Sequence, residues 1–219
     1  MKRELRITGD GSHTFFVGDM EEPYHSAHGA IQESEHVFML HGFRQVGKSF
    51  IRVLEIGFGT GLNMLLTFRE SVEKGVGVFY HAVEKYPLTP EEYSQLNYEK
   101  LLVDVPPGTL QKIHEAPWGE NVNLSDGFLF FKEHTDIRNM HPSGKFDLVY
   151  HDAFAPDKQP EMWTPQLFSR LYGMMKPGSI WVSYTSKGSV RRDLISCGFE
   201  VMKVTGPPGK KEMLYAIRR

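Results

Sequence analysis

VLEIGFGTGLN, residues 53–63, is the stretch on which the fold turns. An apolar run of strand character ends at Ile56, glycines follow at 57, 59 and 61, and a helix-compatible segment begins at once. Glycine in such a turn lets the backbone take positive φ and approach a ligand closely. A dinucleotide fingerprint would read G-x-G-x-x-G. Counted from Gly57, its third glycine falls on Leu62; counted from Gly59, Gly61 fits but residue 64 is methionine. The pattern is instead E-x-G-x-G-x-G, with Glu55 two residues ahead of the loop.

A carboxylate there suits a ligand with positive groups and not one with a pyrophosphate. S-adenosylmethionine, with an ammonium, a sulfonium and no phosphate, fits this chemistry; a ligand-free turn and a nicotinamide or flavin site are the alternatives. The candidate cradle is Glu55, Gly57, Phe58, Gly59, Thr60, Gly61 and Asn63. Glu84, followed by Lys85, ends the next strand-like run and is placed to accept hydrogen bonds from a ribose. Asp136, after a third run, is within reach of an adenine amino group. Each acid alone reads equally well as a solvated strand end; three beside a glycine loop point to a site.

Outward from this stretch, strand-like runs at 51–57, 78–84, 127–132, 146–152, 179–185, 199–204 and 212–218 alternate with helix-like segments at 61–72, 90–102, 133–140, 165–175 and 186–196. That alternation predicts a Rossmann-like α/β fold with a seven-stranded, mostly parallel sheet. The short turn TGPPGKK (205–211) makes one strand antiparallel. ELRIT, GDGS and HTFFV predict an N-terminal hairpin, and 27–42 a helix. Residues 1–45 are thus expected as an extension packed on a domain spanning 46–219.

With 219 residues, 40% hydrophobic and 24% charged, the chain has the composition of a soluble globular protein. No apolar run approaches the roughly 20 residues of a membrane span. The first residues lack the apolar core of a secretory signal, and Cys197 is the single cysteine, so a cytoplasmic location without membrane contact is expected. The net charge is −2, yet from Lys187 onward eight cations face three acids. Such a surplus marks either a phosphate-binding face or a solvated basic surface. Ten histidines invite a metal reading, but His25 and His28 lack a cysteine or carboxylate cluster to complete a ligand set, and no metal is expected.

HDAFAPDKQPEMW (151–163) follows the strand-like KFDLVY. Two prolines make it a stiff loop at a strand end, where α/β proteins place chemistry. His151 points away from Asp152 if both are extended, and Trp163 reads as packing for the loop.

LEIGFGTGLN, FDLVYHDAFAPDKQPEMWTPQLF, SYTSKGSVRRDL, SCGFEV and GKKEML, in that order, resemble the methyltransferase domain of MnmC-type tRNA-modification enzymes. PYHSAHGAIQESEHVF is similar to that family's N-terminal motif. The chain departs from the family pattern at His25, His151, Ala153 and Gln159, and between Leu102 and Gly127. The resemblance implies a class I, S-adenosylmethionine-dependent N-methyltransferase making 5-methylaminomethyl-2-thiouridine at the tRNA wobble position. It implies the form without the FAD-dependent oxidase half, served by a separate enzyme that supplies the aminomethyl substrate. Asp152 then orients the amine and accepts its proton beside the cofactor, and Phe154 stacks on a flipped-out uracil. Tyr24 joins the substrate side, and Lys187, Arg191, Arg192, Lys210 and Lys211 are expected on anticodon stem-loop phosphates. Two other readings are an N-methyltransferase for a small amine or a protein, and a non-catalytic S-adenosylmethionine-binding subunit.

Overall fold

The computed structural model describes residues 2–141 and 144–219. The chain opens with β1 (Arg3–Ile7), β2 (His13–Val17) and the two-residue β3 (Glu22–Pro23), which form a small antiparallel sheet. A continuous helical stretch follows: α1 (Ala30–Ser34), a π-helical segment Glu35–Phe43, and α2 (Arg44–Val46). It packs on the main sheet, with Phe38 against Tyr150 at 5.0 Å between ring centres. At Gly42 the fit is so close that a Cβ would stand 3.0 Å from the Tyr150 ring. The 45/46 boundary expected from sequence falls in the last turn of this helix. Val37 and Phe38 share one apolar core with Val53 and Val182, which ties the first segment to the sheet.

The remainder runs β4 (Phe50–Ile56), α3 (Leu62–Lys74), β5 (Gly77–Glu84), α4 (Pro90–Tyr93), α5 (Tyr98–Leu101), α6 (Thr109–Glu115), β6 (Asn121–Ser125), β7 (Phe128–His134), β8 (Phe146–His151), α7 (Pro165–Met174), β9 (Met175–Ser183), α8 (Gly188–Ser196), β10 (Phe199–Thr205) and β11 (Glu212–Arg218). The main sheet has eight strands in the order β10-β11-β9-β8-β4-β5-β7-β6. β4, β5, β7, β8 and β9 pair in parallel, whereas β11 and β6 run antiparallel to their neighbours.

Two expectations are corrected here: there are eight strands rather than seven, and two antiparallel strands rather than one. The extra strand, NVNLS, alternates polar and apolar residues at an exposed edge and is broken by a bulge between Asn123 and Ser125. Its low apolar content left it without a buried-strand signal. The helix expected at 133–140 is also absent. β7 continues to His134, and only a short 3-10 turn, Ile137–Asn139, follows Asp136. The segment 90–102 divides into α4 and α5, and His28, inside the helix expected at 27–42, precedes α1 instead.

From β4 the chain builds outward through β5 and β7, then crosses back to place β8 on the other side of β4. This reversal opens a crevice at the carboxyl ends of β4 and β8, where the loops that follow diverge. Gly57 and Asp152 are the first residues past those two strand ends.

At the opposite sheet edge, buried Asp147 receives Lys48 at 2.6 Å, Lys176 at 2.8 Å and the Arg52 N–H at 2.9 Å. Burial opposes its ionisation, but these donors outweigh it and hold the carboxyl below its ordinary value. A depressed carboxylate pKa stabilises fully above the unfolded value, and that stabilisation is lost as pH falls through the native one. Asp147→Ala is expected to lower stability by about 2 kcal/mol, because the part-buried Arg52 N–H loses its acceptor while the half-exposed lysines rehydrate. In urea melts the deficit relative to the parent should be full at pH 7 and shrink in acid.

Candidate active site

The crevice at the switch point is a cavity of about 210 Å3. Its floor is built from three chain segments. The glycine loop turns with φ of 87°, 50° and 75° at Gly57, Gly59 and Gly61. A Cβ on Gly57 would overlap the Asp152 carbonyl oxygen, and one on Gly59 would press on the Tyr24 ring at 3.0 Å. These glycines therefore answer to both left-handed backbone and close approach.

Glu55 is fully buried at the end of β4 and accepts from Asn63 Nδ2 at 3.0 Å. The same nitrogen donates to Asp152 Oδ2 at 2.8 Å, so one amide bridges two carboxylates. Burial first, and then the Asp152 charge, raises the Glu55 carboxyl well above its ordinary range. Asp152, half-buried in the cavity floor, is pushed up to about 7 by desolvation, against the hydrogen bond from Asn63. Glu33 raises it further and Lys210 lowers it. Asn63 Oδ1 is buried with no hydrogen-bond partner among the described residues.

Glu84 is fixed at the rim by the N–H groups of Gly59 at 2.9 Å and Tyr86 at 2.7 Å. Asp136, on the same wall, accepts from Arg138 N at 3.0 Å, Arg138 Nη2 at 2.6 Å and Lys85 Nζ at 3.2 Å. The Arg138 hydrogen bond outweighs burial and holds this carboxyl well below its ordinary value. Both oxygens of Asp136 accept from these donors while the side chain lines the cavity. On the opposite wall Tyr24 meets Phe154 edge-on, ring centres 5.0 Å apart. Arg3 holds the Tyr24 hydroxyl at 2.9 Å, the Glu92 carboxylate at 2.8 Å and the Tyr86 carbonyl, so the N-terminal strand is fastened across the rim. The Asp152–Trp163 loop is stiffened by Trp163 Nε1 on the Phe154 carbonyl at 2.8 Å and the Tyr184 hydroxyl on the Ala153 carbonyl at 2.8 Å.

The cavity gathers Tyr24, Gly57, Phe58, Gly59, Thr60, Asn63, Glu84, Lys85, Asp136, Asp152, Phe154 and Lys210 from the residues singled out by sequence. Glu55 and Gly61 stand behind its surface, Glu55 acting on it through Asn63. Arg191 and Lys211 lie outside it with Arg192, and no side-chain hydrogen bond or ion pair within the described residues engages these three; Lys187 pairs with Asp157 of the loop. Sequence reading missed Glu22, Glu33 and Tyr184, which also line the cavity. Glu33 had a signal, since it sits inside the N-terminal motif; Glu22, on a two-residue strand, had none. His25 is buried in the wall, bonded to Thr14 at 2.9 Å and held neutral by burial, its pKa lowered to about 4. His151 is fully buried against Trp163, Phe168 and Trp181 and packs rather than faces the cavity.

Five carboxylates (Glu22, Glu33, Glu84, Asp136, Asp152) and two lysines (Lys85, Lys210) line the cavity, and each lysine is paired with one of those acids. This excess of negative charge fits a ligand carrying an ammonium and a sulfonium and opposes a pyrophosphate. Together with the sheet order and the glycine loop it defines a Rossmann-like class I methyltransferase. The profile of a family described as "S-adenosyl-L-methionine-dependent methyltransferase" matches residues 91–219, and the chain belongs to that family.

Among curated relatives, the tRNA 5-methylaminomethyl-2-thiouridine biosynthesis bifunctional protein MnmC of Pseudomonas syringae pv. tomato is 33% identical over 234 residues, 97% of this chain and 34% of that protein. Its counterpart in Pseudoalteromonas atlantica is 30% identical over 236 residues, 98% of this chain and 33% of that protein. The chain spans about a third of the length of these relatives. The crystal structure of MNMC2 from Aquifex aeolicus superposes with a TM-score of 0.79 at 29% identity, covering 100% of this chain and 71% of that one. Spermidine synthase from Thermotoga maritima, 12% identical with a TM-score of 0.52 over 100% of this chain and 72% of that one, shares the fold alone.

A carboxyl with a raised native pKa weakens the fold as pH rises above its unfolded value, and the penalty is complete above the native one. Asp152→Asn is therefore expected to be more stable than the parent at pH 8, with the difference shrinking toward pH 4. Chemical denaturation at the two pH values measures it.

Proposed function

We propose that this methyltransferase acts on the primary amine of 5-aminomethyl-2-thiouridine at the wobble position of tRNA, giving the 5-methylaminomethyl nucleoside. The observation that carries the reading is Asp152, a carboxyl pushed up to about 7 at the floor of a negatively lined cavity and pinned by Asn63. The names of the MnmC relatives support the substrate. S-adenosylmethionine, when bound, supplies an electrophilic methyl group. Glu55, Asn63, the loop Gly57–Gly61 and Glu84, with Lys85 and Asp136 at the rim, are the residues that hold it.

An alkylamine is largely protonated at neutral pH and has no free lone pair in that state. Asp152 accepts a hydrogen bond from the amine and takes up its proton; its raised pKa closes about half of the gap between an ordinary carboxyl and an alkylammonium, so the transfer is less uphill. Asn63 fixes the direction of Oδ2, so the amine is presented along one line. Phe154 and Tyr24 offer aromatic surface to a base turned out of a single-stranded loop. Pro156 and Pro160, with the Trp163 and Tyr184 hydrogen bonds, keep acid and ring in register. The first 45 residues serve as an extension that closes one wall, through Tyr24, of the site on residues 46–219.

Arg191, Arg192 and Lys211 supply the RNA-facing charge, with Lys187 released to it from Asp157. The amine itself must be installed on the tRNA beforehand by a different activity.

The test combines purified protein, labelled S-adenosylmethionine and tRNA carrying 5-aminomethyl-2-thiouridine, read by nucleoside mass spectrometry. Conversion is expected, reduced at least about 100-fold by Asp152→Ala. Cofactor binding without any conversion would refute the substrate and favour a small amine or a protein. Replacing Arg191 and Arg192 together by Glu should weaken tRNA binding, flatten the logarithmic salt dependence by about 2 and leave cofactor affinity unchanged.

A further inference from the structure

Lys210 was expected on RNA phosphates, yet it reaches into the cavity from the turn between β10 and β11. Its ammonium stands 3.1 Å from Glu33 Oε1 and 4.1 Å from the centre of the Tyr184 ring. Glu33 is 7% exposed, and its other oxygen accepts the Ser26 N–H at 2.7 Å. The Tyr184 ring is oriented by its own hydroxyl on the Ala153 carbonyl, next to Asp152. A buried carboxylate beside an aromatic face is a receptor for an ammonium group. All of these groups line the same cavity as Asp152, close enough that the charges of Glu33 and Lys210 both act on its carboxyl.

We propose that Glu33 and the face of Tyr184 form a subsite for the alkylammonium of the incoming nucleophile, and that Lys210 fills it with its own ammonium until substrate arrives. The proposal deepens the reading above and rests on it for the identity of the amine. Lys210 can leave at little cost. Its side chain is 36% exposed, and a flexible four-carbon stem can carry the charge back to water. Glu33 cannot leave, and it would be a buried charge with one neutral hydrogen bond once Lys210 had gone. Such a charge calls for a replacement cation. A substrate ammonium restores the pairing and arrives beside the acid that is to take its proton. A neutral analogue would leave Glu33 unpaired, so the exchange discriminates by charge.

The experiment compares benzylammonium with benzyl alcohol, a neutral probe of the same shape, titrated by NMR into protein saturated with S-adenosylhomocysteine. The parent is expected to prefer the ammonium. Lys210→Met should tighten the ammonium about tenfold and leave the alcohol unchanged, since the internal competitor is gone. Glu33→Gln, which keeps an acceptor for the Ser26 N–H, should cut the preference about tenfold, leaving only what the other acids of the cavity supply. Retained S-adenosylhomocysteine binding shows that each variant is folded. Loss of ammonium affinity in Lys210→Met, no change there, or an undiminished preference in Glu33→Gln would overturn the subsite. Because the readout is binding of a simple amine, failure of tRNA methylation would sink the substrate assignment and leave this result intact.

Discussion

One side-chain amide, Asn63 Nδ2, holds the site together by donating to Glu55 and Asp152 at once. The two carboxylates come from β4 and from the residue after β8, strands that lie side by side only because the chain reverses direction across the sheet there. Asn63 reaches both because α3 begins immediately after three glycines in left-handed backbone. Substituting the loop glycines would therefore disturb the acid pair as well as the ligand surface. Burial, and after it the Asp152 charge, raises the Glu55 carboxyl, and the bridging amide moderates this without cancelling it.

The same arrangement explains why the cavity needs the N-terminal segment. The sheet edge provides a floor and one wall, while the opposite wall is Tyr24, His25 and Glu33. Arg3 fastens that wall to Glu92 and to the backbone after Glu84. A carboxylate from this segment, Glu33, thus faces the acid from the sheet, and the cavity accumulates negative charge that only cationic ligands satisfy. No helix among the described residues is long and apolar enough to cross a membrane.

Much of this was legible in the sequence because the deciding features are local. The strand–glycine–helix stretch, the acids ending successive strands and the proline-stiffened loop after β8 each announce themselves within a few residues. What escaped depends on distant partners or weak patterns. NVNLS is too polar to read as a strand and forms one by pairing with β7. Glu33 lies inside the N-terminal motif but its role does not show there, because its partner Lys210 is 177 residues away. Lys210 was legible as a cation but not as a pocket residue, since the direction in which a turn aims a flexible side chain is set by tertiary contacts. Asp136 was legible as an acid at a strand end, whereas its engagement by Arg138 follows from the 3-10 turn that replaced an expected helix.

In the reaction proposed above, Asp152 is a proton acceptor brought to neutral pH by burial, against the opposing hydrogen bond from Asn63. The most direct measurement is a 13C NMR titration of carboxyl-labelled, ligand-free protein, with the Asp152 resonance assigned by its disappearance in Asp152→Asn. A midpoint of about 7 is the predicted result. A midpoint near the ordinary value of about 4 would contradict it, because the carboxyl would then be as well solvated as any surface aspartate.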